Sequence, residues 1–160
     1  MIKSIYRKNL TDAKINGVIL YNNKFFTVVA NYSDFYFDGI LFLANQYVSE
    51  IEIRNSDKVY WRVIKEIGET LNQIKVERFS GWKELFGGLR NNSVIIENDV
   101  YDEFWLGDVV RLYKISVRIK HYDGIGENVS CPLIKYDDIT CVSIGTRYQN
   151  IFNKHILSCK

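Results

Sequence analysis

The side chains best suited to chemistry are few in this chain and poorly spaced for it. The soft metal ligands are His121, His155, Cys131, Cys141 and Cys159. None stands at the CxxC or HxxxH spacing that folds four donors around one zinc ion. His121 and Cys131 meet only if a hairpin brings them together, as a Cys–His nucleophile requires. No GxSxG elbow is present. The acid pairs Asp102-Glu103 and Asp137-Asp138 are adjacent in sequence. Neighbours on a strand point to opposite faces, so neither pair acts jointly on one substrate atom. Gly124-Ile125-Gly126 lacks the third glycine and following helix of a dinucleotide fingerprint. These residues predict no catalytic centre, no metal site and no cofactor.

Two other groupings suit binding. Tyr32, Phe35, Tyr36 and Phe37, flanked by Asp34 and Asp38, form an aromatic run that reads as a loop. Tyr, Phe and Trp are favoured in interface cores, so these four are candidate partner-binding residues. Arg111, Arg118 and Lys120, with Lys114, Tyr113 and Tyr122 nearby, lie along one long hairpin. Cations interleaved with aromatics hold phosphates and stack bases, which makes Arg111, Arg118 and Lys120 candidate RNA-binding residues. Lys and Arg also decorate exposed strands simply to block edge pairing.

The elements that must position these groups are mostly strands. Hydrophobic residues make up 47% of the 160 and charged residues 25%, enough apolar material for a core. Short runs rich in β-branched and aromatic residues, bounded by Asn, Asp and Gly, recur through the first 57 residues. Asp38-Gly39 suits a tight turn or a bulge. Glu50-Ile51-Glu52-Ile53-Arg54 alternates as a half-buried strand does.

The period changes over residues 58–74. Val63, Ile67, Leu71 and Ile74 step at helical spacing, with Ser56 or Asp57 as N-cap. Trp82-Lys83-Glu84-Leu85-Phe86 reads as a helical turn stopped by Gly87-Gly88. Strand character returns from Ser93. In residues 114–120, Ile115, Val117 and Ile119 point one way and Ser116, Arg118 and Lys120 the other. Residues 129–133 and 140–144 read as strands, separated by one 3₁₀ turn. Tyr148, Ile151, Phe152, His155 and Ile156 share a face of a final helix.

The two halves are alike in outline. Gly17-Val18-Ile19-Leu20 parallels Gly107-Asp108-Val109-Val110, and residues 45–51 parallel residues 135–141. In the second half, Gly107 precedes a strand and a long alternating hairpin. Tyr136-Asp137-Asp138-Ile139 follows, and then Ile144-Gly145-Thr146-Arg147-Tyr148-Gln149-Asn150-Ile151-Phe152. This pattern resembles a set of uncharacterised bacterial proteins that end in a small Sm-like or SH3-like β-barrel closed by a short helix. Asp34-Phe35-Tyr36-Phe37-Asp38-Gly39 resembles the companion barrel of that group. The resemblance implies a mainly β fold of two small barrels, residues 1–57 and 90–160, joined by a helical linker over residues 58–89. It carries no activity, because small barrels host many functions.

Lys and Arg total 21 against 19 Asp and Glu, a net charge of +2. That near-neutral balance sets no partner class and lacks the basic excess of a general nucleic-acid binder. Residues 1–9 hold no apolar leader segment, and no run reaches the ~18 apolar residues of a membrane span. Three cysteines with no CxxC pair fit reduced thiols in the cytoplasm. The expected function is a non-enzymatic protein-binding module. A bacterial toxin-neutralising immunity protein is one concrete form of it. An RNA-binding regulator on an Sm-like scaffold is the alternative.

Overall fold

The computed structural model describes residues 1–10, 14–68, 76–90, 92–123 and 129–158. Leu71, Ile74, the Gly124-Ile125-Gly126 turn and Cys159 lie outside the described residues. The fold is mainly β. In the first half, β1 (Lys3–Arg7), β2 (Lys14–Asn22), β3 (Phe26–Ser33) and β4 (Tyr36–Ala44) pair in order, and β5 (Val48–Glu52) returns to β1. Helices α1 (Asn55–Glu66) and α2 (Trp82–Gly88) follow. In the second half, β6 (Ser93–Asn98), β7 (Glu103–Leu112) and β8 (Ser116–Tyr122) form the same meander. β9 (Val129–Ser130) and β10 (Leu133–Lys135) both pair with β8. After a 3₁₀ turn (Tyr136–Asp138), β11 (Cys141–Ile144) returns to β6, and α3 (Arg147–Ser158) completes the order.

Each half therefore repeats one connectivity, with β9 and β10 together in the place of β4, and the halves share one irregularity. A one-residue slip falls between Ile19 and Tyr21 in β2 and between Val109 and Arg111 in β7. Beside each slip the strands approach closely. A Cβ on Gly17 would lie 2.6 Å from the Ala30 carbonyl oxygen, and one on Gly107 would lie 2.1 Å from that of Lys120. No side chain fits in such a gap, which is why both halves carry glycine there.

The hydrogen bonding does not show two separate closed barrels. β11 pairs on one side with β6 and on the other with β4, with Val142 opposite Phe42 and Ser143 opposite Leu41. All eleven strands thus belong to one open antiparallel sheet, ordered β10-β8-β7-β6-β11-β4-β3-β2-β1-β5 with β9 beside β8. Nor are the intervening helices a detached linker. Ile64 of α1 and Trp82, Leu85 and Phe86 of α2 are buried in the same apolar cluster as Phe26, Phe42, Val117 and Val142.

Several local expectations are corrected by the packing. α1 is capped from Arg54, not from Ser56 or Asp57. Asp57 sits one turn inside and its carboxylate accepts the Arg54 N–H at 2.8 Å and the Ser4 hydroxyl at 3.0 Å. Asp38-Gly39 lies within β4, next to the slip opposite Ala30 and Tyr32, so the bulge reading holds and the tight turn does not. Gly39 takes a φ of +83° there. The strand expected over residues 129–133 is broken at Cys131-Pro132. In α3 only Phe152 and Ile156 of the expected apolar face are buried, while Tyr148 and Ile151 are exposed.

Polar contacts reinforce the junction of the halves. The buried Arg7 of β1 donates to Asp99 at 2.9 Å, and the Thr140 hydroxyl donates to the same carboxylate at 2.5 Å. Asp38 of β4 accepts the Arg147 N–H at 2.7 Å, holding the start of α3. Removing one partner of a buried ion pair strands the other charge. We expect Arg7→Ala to lower unfolding free energy by about 3 kcal/mol, measured by urea denaturation. Cys141 is buried at this junction, and desolvation raises its thiol well above the usual range. A thiolate is the reactive form. In a Cys159→Ser background, we expect the exposed Cys131 to react with a disulfide reagent at pH 8 within minutes. Cys141 should react only on unfolding; equal rates for the two thiols would refute the burial argument.

Candidate functional site

The β2–β3 turn is held by one side chain. Asn23 Oδ1 accepts the N–H groups of Phe25 (2.7 Å) and Phe26 (3.0 Å), while its Nδ2 donates to the Phe79 carbonyl at 2.7 Å. Asn45 in turn donates to the Asn23 carbonyl at 2.6 Å. This wiring leaves Lys24 and Phe25 projecting, with Phe25 44% exposed beside Gly81. The β7–β8 turn is built at the matching place in the second half. Tyr113 N–H donates to the Ser116 carbonyl at 2.9 Å, and the Tyr136 hydroxyl donates to the Tyr113 carbonyl at 3.2 Å. Lys114 and Ile115 project from it, and Ile115 is 65% exposed.

These two tips flank one cleft of about 800 Å³. Its apolar lining includes Trp82, Leu112, Ala44 and Tyr136. Trp82 packs on Phe26 with ring centroids 4.9 Å apart, and Tyr136 stacks on Phe86 at 6.0 Å. Burial raises the Tyr136 phenol above its ordinary range, so it stays a neutral donor. Lys24, Lys83 and Lys114 stand around the opening, and all three are exposed. Among the described residues none of the three makes an ion pair. The carboxylates present are Asp137 and Glu84. Glu84 is already engaged by the Ser80 hydroxyl and the Ser80 N–H, and these bonds hold its carboxyl below the usual range. Three lysines against these two carboxylates leave the opening with a small positive excess, over a floor that is apolar and aromatic. It suits a segment carrying an apolar side chain next to carboxylates.

The residues singled out from sequence are placed differently. The aromatic run is a hairpin turn between β3 and β4, and it is divided between core and surface. Tyr32 is buried, edge-on to Phe37 at 6.0 Å and to Trp61 at 6.3 Å. Tyr32 and Phe37 are direct cross-strand partners. Phe35 stacks on Tyr60 of α1 at 4.4 Å, and its N–H donates to the Tyr60 hydroxyl at 2.8 Å. Of the four, Tyr36 is the most exposed. The basic residues do come together: Arg111 is directly opposite Arg118, and Lys120 follows two residues on. Arg111 and Arg118 both lie over the Tyr113 ring, at 5.3 and 5.9 Å, and Lys120 lies over Tyr122 at 5.5 Å. His121 is a sheet residue. It lies in β8 with Nδ1 2.9 Å from the Leu106 carbonyl oxygen, and its direct partner in β9 is Ser130. No group of three or more His, Cys, Asp or Glu side chains gathers for a metal among the described residues.

Sequence reasoning passed over the cleft because Ile115 was counted with Val117 and Ile119 as core. Val117 and Ile119 are fully buried, but β8 starts only at Ser116. The signal was present in the repeat. The step that relates Gly17 to Gly107 also relates Lys24-Phe25 to Lys114-Ile115.

Fold and cleft together define a mainly β protein with one open sheet and a basic, apolar-floored cleft between repeated hairpin tips. Comparison with known proteins finds no family model, no curated protein and no solved structure that matches the chain. Asn23 satisfies three backbone groups with one side chain. We expect Asn23→Ala to cost about 2 kcal/mol of stability in urea denaturation. An effect below about 0.5 kcal/mol would mean that the tip does not depend on this wiring.

Proposed function

We propose that this chain is a non-enzymatic protein-binding module that takes a segment of its partner into the cleft between the two hairpin tips. The observation that carries the reading is the convergence of Lys24-Phe25 and Lys114-Ile115 on one aromatic floor. Exposed apolar anchors ringed by cations are the composition of a binding hot spot, not of a solvated loop. In this reading each half is a small Sm-like or SH3-like unit. The repeated connectivity, with β9 and β10 together standing for β4, and the shared slips in β2 and β7 support that assignment. A cytoplasmic immunity protein that neutralises a toxin by covering its surface is the concrete form we favour.

The alternative is an RNA-binding regulator using Arg111, Arg118 and Lys120. Their adjacency on β7 and β8 supports it. Those cations sit over Tyr113 and Tyr122 as Lys24 sits over Phe25 at the cleft, so this contact does not separate the two readings. The convergence of both tips on one apolar floor favours the protein reading.

The test is affinity capture from the native host's lysate at low and high salt. Wild type is run beside the Phe25→Ala/Ile115→Ala variant, with protein identified by mass spectrometry and RNA by sequencing. We expect one stoichiometric protein, depleted at least about tenfold by the variant. Retention of that protein on the variant would sink the cleft reading. RNA as the sole captured species, lost at high salt, would replace it with the alternative.

A further inference from the structure

The cleft is basic and apolar, and the chain carries its own acidic and aromatic counterpart elsewhere. The β6–β7 hairpin turn comprises Asp99, Val100, Tyr101 and Asp102, with Glu103 opening β7. Tyr101 is 72% exposed, the most exposed of the large apolar and aromatic side chains among the described residues. Val100 and Phe104 beside it are also exposed. Asp102 and Glu103 are exposed too, while Asp99 is committed to Arg7. Asn98 donates to Glu103 at 3.2 Å, and Tyr101 N–H donates to the Asn98 carbonyl at 3.2 Å, so the turn is internally braced. Asp102 holds a φ of +54° within it. A braced tip that projects a tyrosine beside the carboxylates of Asp102 and Glu103 complements, in charge and in apolar character, a cleft with Lys24, Lys83 and Lys114 around a floor of Trp82 and Tyr136.

We propose that the β6–β7 tip of one copy docks into the Lys24/Lys83/Lys114 cleft of a second copy, with Tyr101 on the apolar floor and Asp102 and Glu103 against the lysines. This rests on the cleft being a protein-binding surface, and it adds how that surface is covered when no other partner is present. Tip and cleft are different patches, so the contact is heterologous. Each copy that uses its tip still offers its cleft, and association proceeds until a ring closes or the ends remain open. A partner entering the cleft must displace the tip.

Sedimentation velocity across a concentration series, at low and high salt, reads this out. Two variants separate the surfaces: Tyr101→Ala/Asp102→Lys removes the tip, and Lys114→Glu/Ile115→Asp removes the cleft. All four positions are exposed, and circular dichroism verifies that both variants fold. Wild type is expected to gain mass with concentration at low salt and to lose most of that gain at about 1 M salt, where the screening length is near 3 Å. Each variant alone should be monomeric, its association weakened about 30-fold or more. An equimolar mixture holds one working tip and one working cleft per pair, and should stop at a dimer. Wild type that stays monomeric up to about 1 mM, or a mixture that stays monomeric, overturns the proposal. Undiminished association of the tip variant does so as well. The tip variant retains its cleft and must still capture the lysate partner. Lost self-association with persisting capture would therefore overturn only this inference, and lost capture on the cleft variant leaves it standing.

Discussion

The structure depends on a single seam. β11 is the last strand of the chain, and it inserts between β6 of its own half and β4 of the other. Among the described residues no other strand ladder joins the halves, since every remaining pairing lies within one of them. Its side chains are buried accordingly: Val142 faces Phe42 across the ladder, and both are fully removed from water. Once β11 is in place, Asp38 reaches the start of α3, Arg7 reaches Asp99, and Gln46 reaches the Asp137 carbonyl at 3.2 Å. These contacts span about half the chain or more in sequence, so the entropy of closing long loops precedes any gain from them.

The seam also explains why the two fifth strands differ in composition. Ile51 is opposite Ile5 as Val142 is opposite Ile96. Beside these pairs β11 carries Cys141 and Ser143, both buried, whereas β5 carries Glu50 and Glu52 at its outer edge. Glu52 is engaged by Arg54, whose guanidinium lies over Tyr6. Carboxylates on a free edge oppose pairing with another chain, while a thiol and a hydroxyl tolerate burial inside a ladder. At the opposite edge β9 and β10 are two and three residues long, with Pro132 between them. Short, interrupted edges are poor templates. The sheet therefore ends at both sides, and interaction falls to the hairpin tips.

The cleft follows from the same duplication. Joining two copies of one meander through β11 brings the second turn of each copy to the same opening, with α2 between them. A lysine and an apolar residue at one tip would be an ordinary exposed turn. Two such tips over a shared aromatic floor bring apolar anchors close together within a ring of lysines, and the proposed binding rests on that arrangement.

Much of the fold was legible from local pattern. Alternation located the strands, Gly87-Gly88 marked the end of α2, and Tyr136-Asp137-Asp138 announced its 3₁₀ turn; the helical period over residues 58–74 was met only in part, since α1 runs Asn55–Glu66 and buries Ile64, with Ile67 exposed at its cap. Local pattern records which side of an element is apolar, and that preference is set by the residues themselves. What covers the apolar side is decided elsewhere in the chain. Tyr32 read as part of a binding loop and is core because Trp61 packs against it, while Phe37 is half-buried against its ring. Ile115 read as core and became a rim residue because β8 begins one residue later. The partner of β11 was invisible, since a four-residue strand with three of its residues buried pairs equally well with any apolar edge until long-range packing selects one. The sequence by itself determined the mainly β elements and their repeat; only the tertiary structure decided that the repeats share one sheet, because that choice rests on contacts roughly a hundred residues apart.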